Sequence, residues 1–149
     1  MRAVVQRTSG GSVEAAGKRL GGVKTGLIVF LGIKKGDGTA EAAYILDKIA
    51  GLRIFPDEEG KMNRSLLDIK GEILLISQFT LYGDARKGRR PGFIDAEIPD
   101  KAEPLFNWAL EYIKNLGIKA ETGAFGAEMR VNIINDGPCT ILLDSEKMF

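Results

Sequence analysis

The sequence predicts an α+β fold, a mainly antiparallel, barrel-like sheet core carrying two main helices. Strand-length apolar runs lie towards both ends of the chain, and two segments with helical apolar spacing interrupt them. The order does not alternate strand, helix, strand as the units of a parallel doubly wound sheet would. At 149 residues the expectation is one domain, 1–149, large enough to bury a core without disulfides or metals.

Taken in order, Ala3 to Gln6 reads as a strand, Gly10-Gly11 as a turn signal, and Leu27 to Leu31 as a second buried strand, joined as hairpins. Thr39 is placed to cap a helix that carries Ala42, Ile45, Ile49 and Leu52 on one face, with Gly51 marking its end. Asp57-Glu58-Glu59-Gly60 lacks the alternating ligands and closing glutamate of a calcium loop, so it reads as a solvated turn. Ile73 to Ile76 is a central strand that continues into Ser77-Gln78-Phe79-Thr80-Leu81-Tyr82, where polar residues interrupt the buried run. Asp100 and Glu103 have capping-box spacing ahead of a helix with a stripe of Leu105, Trp108, Ala109, Tyr112 and Leu116, which Gly117 should end. Two last strands, about 129–134 and 139–143, are expected on either side of an Asn135-Asp136-Gly137-Pro138 turn.

Composition excludes several chemistries. Histidine is absent, which removes Ser-His-Asp and Cys-His arrangements, and with one cysteine a zinc site has too few ligands. No metal and no cofactor is therefore expected. Lys plus Arg (21) nearly balances Asp plus Glu (20), so a nucleic-acid contact must come from a local patch. The N-terminus lacks the apolar region of a secretory signal, and no apolar run approaches the roughly 20 residues of a membrane span. A cytoplasmic protein without membrane contact is expected. The glycines and lysines of 32–39 lack the Gly-Lys-Ser/Thr ending of a phosphate loop, and no Gly-x-Ser-x-Gly elbow of a general esterase is present.

Several residues have two readings on chemistry alone. Ser77, Gln78 and Thr80 at a strand end either satisfy neighbouring backbone groups or face a substrate. Gly137-Pro138 is an ordinary turn pair. The cluster Arg86-Lys87-Gly88-Arg89-Arg90 is either solvated surface or a phosphate contact. Phe125 and Met129 suit either core packing or a base-stacking pocket. Cys139, with no histidine to lower its pKa, reads as an apolar strand position.

Together, Ser-Gln-Phe-Thr-Leu-Tyr at 77–82, Lys-Gly-Arg-Arg-Pro at 87–91 and Asn-Asp-Gly-Pro at 135–138 closely resemble the D-aminoacyl-tRNA deacylases. The resemblance runs from Met-Arg-Ala-Val-Val-Gln-Arg at 1–7 through Gly-Leu-Arg-Ile-Phe at 51–55 to Glu-Thr-Gly at 121–123 and Leu-Leu-Asp-Ser at 142–145. It departs at Cys139, where the family more often has valine, and at Gly92, where it often has serine. The resemblance implies a hydrolase that proofreads translation by cutting the ester of D-aminoacyl-tRNA, and also of glycyl-tRNA. It implies a homodimer with active sites at the interface, where Ser77, Gln78, Phe79 and Thr80 of one chain face a cis Gly137-Pro138 peptide of the other. The carbonyl oxygens of that turn would reject L-amino acids. By the same carry-over, Phe125 and Met129 line a pocket for the terminal adenosine, Arg7 braces the Gly-Pro turn, and Arg86, Lys87, Arg89 and Arg90 hold tRNA phosphates.

An aminoacyl ester is already activated, so positioning by backbone N–H groups near Phe79 and Thr80, with help from the ribose 2'-hydroxyl, can replace a protein base. Thr80 as a covalent nucleophile is the competing mechanism; it lacks the adjacent base such a hydroxyl normally needs. The editing domains of some threonyl-tRNA synthetases also resemble this family, and a binding-only relative is the other reading of the same motifs.

Overall fold

The computed structural model describes residues 1–148. Its elements run β1 (Arg2–Ala15), β2 (Lys18–Val23), β3 (Gly26–Gly32), α1 (Thr39–Gly51), β4 (Phe55–Pro56), β5 (Met62–Arg64), β6 (Glu72–Ser77), α2 (Pro99–Asn115), β7 (Ala120–Thr122) and β8 (Arg130–Asp144). A single turn of 3-10 helix, Phe79–Tyr82, follows β6.

β1 is the spine. Its N-terminal half pairs antiparallel with β3, its C-terminal half pairs antiparallel with β2, and β8 runs antiparallel along nearly its whole length. β6 then joins β3, and β7 joins β6, both in parallel register. The sheet is therefore an α+β, barrel-like sheet as expected, but a mixed one. The crossover through α1 makes a parallel β3–β6 pair possible. β2 comes back towards β7, where the Gly22 N–H donates to a Glu121 carboxylate oxygen at 2.7 Å.

Strand β3 is apolar at nearly every position because both of its faces are covered. Leu27, Val29 and Leu31 point to the helices together with Ile73 and Leu75 of β6. Ile28 and, on β6, Leu74 and Ile76 join Val13 and Val23 in a second cluster inside the barrel. Gly26 is required where these two strands meet, since a Cβ there would lie 2.0 Å from the Glu72 carbonyl oxygen. Helix α1 buries Ala42, Ile45, Leu46, Ile49 and Ala50 against the first cluster. The Tyr112 hydroxyl ties α2 to α1 by donating to Asp47 at 2.9 Å, and its ring stacks on Trp108.

Local details differ from the sequence reading. Gly10-Gly11 is not a turn: it lies inside β1, and the chain reverses after Ala15 through Ala16 and Gly17, both with positive φ. The α1 cap is Gly38, whose N–H donates to a Glu41 carboxylate oxygen at 2.8 Å, and Thr39 is the first helical residue. Asp100 and Glu103 form no capping box. The helix starts on Pro99, which needs no N–H at that position, and Ile98 occupies the cap. The buried stripe of α2 is Ala102, Phe106, Ala109 and Ile113, so Leu105, Trp108, Tyr112 and Leu116 flank it. Short β7 escaped notice because three half-buried residues carry no periodic signal.

The largest correction concerns the last strands. β8 is one strand of 15 residues, with no hairpin turn inside it. Gln6 pairs with Thr140 and Thr8 with Asn135, so residues 136–139 bulge out opposite Arg7. Thr8 is fully buried at this kink: its hydroxyl lies 2.6 Å from the Gly10 carbonyl and 2.8 Å from the Ile134 carbonyl, and it accepts the Gly10 N–H at 3.0 Å. A bulge bends a strand without ending its pairing, which explains how a Gly-Pro turn signal can sit within a ladder.

Candidate active site

Sequence forces β6 to stop at Ser77. Four apolar residues, Ile73 to Ile76, precede Ser77, and Gln78 then donates its N–H to the Leu31 carbonyl at 2.8 Å, extending the pairing with β3 by one bond. The 3-10 turn that follows leaves its first donors open: the Phe79 and Thr80 N–H groups make no hydrogen bond to the described residues. The Gln78 side-chain amide donates to the Thr80 hydroxyl oxygen, a short contact that orients the hydroxyl. Thr80 thereby accepts from Gln78 and keeps its own proton to donate. Phe79 is 58% exposed, unusual for a phenylalanine beside a buried strand.

Beside this turn lies a cavity of about 600 Å³, a size that suits a small organic ligand. Ser77, Gln78 and Phe79 line one wall, and Phe125 and Met129 line another. Phe125 rests on core residue Phe106, ring centroids 5.8 Å apart, and Met129 packs on the barrel cluster. The packing and pocket-lining readings of these two residues therefore coexist. Sequence reasoning missed Phe93, Glu97, Ile98 and Ala102 in the same wall. Glu97 accepts the N–H groups of Ile98 (2.9 Å) and Gly36 (3.2 Å), which hold its carboxyl below the usual range. No short motif marks these positions; Phe93 stands three residues beyond Arg90, and the fold alone brings it to the cavity.

Thr80, Arg7, Gly137 and Pro138 do not line this cavity. Gly137-Pro138 is a cis peptide on the exposed bulge of β8. Gly137 has φ +125°, a conformation L side chains rarely adopt, and a Cβ there would lie 2.9 Å from Arg7 Nη2 and 3.0 Å from the Cys139 nitrogen. Arg7 spans the kink. Its Nε donates to the Asp136 carbonyl at 3.0 Å and lies 3.3 Å from the Asp136 carboxylate, while Nη1 donates to the Ile54 carbonyl. The guanidinium thus fixes the residue entering the turn to the segment before β4. Cys139 is half-buried on β8 and packs on the main core.

The basic cluster lies in a loop closed by two backbone bonds, Asp84 N–H to Gly92 carbonyl (2.8 Å) and Gly92 N–H to Asp84 carbonyl (2.9 Å). Its cations are not equivalent. Arg86 donates to both Asp84 carboxylate oxygens, at 2.9 and 2.7 Å, and this pairing holds Asp84 down at about 2. Lys87, Arg89 and Arg90 are exposed and make no ion pair with the described residues. No cluster of metal-ligating side chains exists among the described residues, and no helix in them is long and apolar enough to cross a membrane.

The profile of the D-Tyr-tRNA(Tyr) deacylase family matches residues 4–144. A D-aminoacyl-tRNA deacylase of Syntrophomonas wolfei subsp. wolfei is 66% identical over 149 residues, covering 100% of both chains. Among solved structures, a "c-Myc DNA Unwinding Element Binding Protein" is 40% identical with a TM-score of 0.91, covering 97% of this chain and 98% of its own. A protein described as "a probable eukaryotic D-amino acid tRNA deacylase" is 17% identical with a TM-score of 0.80, covering 95% and 97%, and that likeness speaks to the fold alone.

Proposed function

This chain belongs to the D-Tyr-tRNA(Tyr) deacylase family, and on that premise we propose that its cavity binds the 3'-terminal adenosine of a charged tRNA while open backbone donors beside it promote hydrolysis of the D-aminoacyl ester. D-aminoacyl-tRNA deacylation, a hydrolase activity that proofreads translation, is the function the family assignment carries. The observation that carries the mechanism is the pair of unpartnered N–H groups at Phe79 and Thr80 next to a cavity with Phe125 and Met129 in its wall. Two fixed donors can stabilise the oxyanion that develops when water attacks the ester carbon. The chain has no histidine to act as base. The ammonium group and the ribose 2'-hydroxyl activate the ester, so holding the reactants in place supplies the rest of the rate. Thr80, with its oxygen accepting from Gln78, serves better as a proton donor that orients water than as a nucleophile.

In this reading chirality is selected by the Gly137-Pro138 carbonyl oxygens of a second copy of the chain in a cytoplasmic homodimer. The turn lies outside the cavity wall of its own chain, and it is flanked on β8 by the exposed apolar side chains of Ile134 (63%) and Leu142 (53%), which supports a covered face there. Main-chain oxygens would collide with the side chain of an L-amino acid, would clear that of a D-amino acid, and have nothing to reject in glycine. Lys87, Arg89 and Arg90 would hold acceptor-stem phosphates without reading sequence.

The test is ester loss from D-tyrosyl-, L-tyrosyl- and glycyl-tRNA, with the mass of the particle measured by light scattering. The expected result is rapid loss from the D and glycyl substrates, slow loss from the L substrate, and a dimer. Equal D and L rates would defeat selection by rejection, a monomer would defeat the shared site, and no ester loss at all would leave a binding module. Thr80→Ala should keep most turnover; abolition with binding intact would favour the covalent route.

A further inference from the structure

From the placement of one aromatic ring we infer that Phe93 is the stacking platform for the nucleotide preceding the terminal adenosine, an inference that rests on the reading of the cavity given above. Phe93 meets Phe79 edge to face, with ring centroids 5.1 Å apart and planes at 71°. The two rings are 38% and 58% exposed and belong to neither core cluster, so this pair adds little to the packed interior. Ile94, the next residue, is 81% exposed, so the rim on this side is apolar and uncovered.

Position in the chain gives the ring its partner. Phe93 lines the cavity and is also the first residue after the Asp84–Gly92 closure of the basic loop. A Cβ built on Gly83, at the root of that loop, would lie 3.1 Å from the Phe93 ring. The ring therefore stands where the cavity wall meets the end of the loop that carries the unpaired cations Lys87, Arg89 and Arg90. On this inference a single RNA strand leaving the cavity towards that loop runs over the ring. Every base has a flat π-face, and stacking on an exposed aromatic ring adds affinity without reading sequence. Cations for the backbone interleaved with a ring for the base is the chemistry of a single-stranded nucleic-acid track, so the occupant is the unpaired 3' end of the tRNA.

The experiment compares kcat/KM for ester loss from D-tyrosyl-adenosine and from D-tyrosyl-cytidylyl-adenosine, in the full-length protein and in Phe93→Ala and Phe93→Trp. A stacked base is worth roughly tenfold or more, so the dinucleotide should be the better substrate by about that factor in the native protein. The ratio should fall towards one in Phe93→Ala and be restored in Phe93→Trp. A second readout is the quenching of 2-aminopurine placed at the penultimate position of a short unacylated oligonucleotide ending in adenosine, seen with the native protein and lost in Phe93→Ala. A ratio unchanged in Phe93→Ala overturns the inference, as does an equal loss on both substrates, which would mean that the ring serves the terminal nucleoside or the turn beneath it. If D-tyrosyl-tRNA is hydrolysed but neither the ratio nor the quenching responds to residue 93, only this inference falls; if D-tyrosyl-tRNA is not hydrolysed, the reading of the cavity falls with it.

Discussion

Replacing Gly137 by alanine tests the bulge of β8 directly. The new Cβ would enter a backbone conformation with φ +125°, 3.0 Å from the Cys139 nitrogen and 2.9 Å from Arg7 Nη2. The Cys139 contact is main chain and cannot swing aside; the Arg7 contact can yield only by moving a guanidinium that holds the Asp136 and Ile54 carbonyls. Backbone strain of this kind costs about 1–3 kcal/mol. Weakening two charge-assisted bonds at a side chain only 13% exposed adds on the order of 1 kcal/mol. A total of about 2–4 kcal/mol in a chain of this size corresponds to a fall in Tm of roughly 5–15 °C. Gly92→Ala is the control, because its Cβ would meet nothing within 4 Å, and it should leave Tm unchanged. Scanning calorimetry reads the first effect, and the ratio of D- to L-tyrosyl-tRNA hydrolysis reads the second, which should collapse as the turn is displaced. A Gly137→Ala protein with native Tm and native D/L ratio would refute both the strain argument and the role given to the turn.

Three further variants separate electrostatic roles. Changing Lys87, Arg89 and Arg90 together to glutamine should flatten the dependence of log K for tRNA on log salt by about 2–3, at roughly 0.7–0.9 per lost phosphate contact. Arg86→Gln should flatten it less, since Arg86 is already held by Asp84; equal effects would count against the division. Arg2→Met removes the partner of Asp144, a buried residue whose carboxylate lies 2.9 Å from Arg2 Nε. Burial pushes the Asp144 carboxyl up, but the Arg2 bond and the Glu146 N–H outweigh it and hold it below its ordinary value. A depressed folded value gives stability that is present above the unfolded value of about 4 and is lost as pH falls through the folded one. The variant should therefore be less stable by about 1.5–3 kcal/mol at pH 7, with a gap that narrows towards pH 3 in denaturant titrations. A gap independent of pH would show that the Arg2 ring contact with Tyr82, at 4.7 Å, matters more than the ion pair.

The fold class was legible because burial writes a period into the chain. β3 and β6 are apolar at almost every position, and α1 keeps one face of Ala42, Ile45 and Ile49. What failed was local punctuation. Gly10-Gly11 and Asn135-Asp136-Gly137-Pro138 carry the residues of turns, yet both lie inside strands, since tertiary pairing between β1 and β8 overrides the local preference and turns it into a kink. The α2 stripe was misplaced because Leu105, Trp108, Tyr112 and Leu116 are larger than Ala102 and Ala109, and size attracted the assignment although small residues face the sheet most closely. At the site, Ser77, Gln78 and Phe79 stood out as polar or interrupted positions at the end of an apolar strand. Phe93, Glu97 and Ala102 did not, because their meaning comes from a fold-back that brings α2's entry over β6, which no short motif encodes.

The pairing of β1 with β8 also governs the order in which the molecule can be made. Arg2 bonds to Asp144 across 142 positions of chain, and β8 follows every other strand in translation order. Closing so long a span is slow and must precede the contacts that reward it. While β8 is still within the ribosome, one whole edge of β1 stands open, and so does the apolar layer behind it. The Arg7 clasp on residue 136 is likewise unmade at that stage, so the Gly137-Pro138 bulge is among the last features of the protein to take shape.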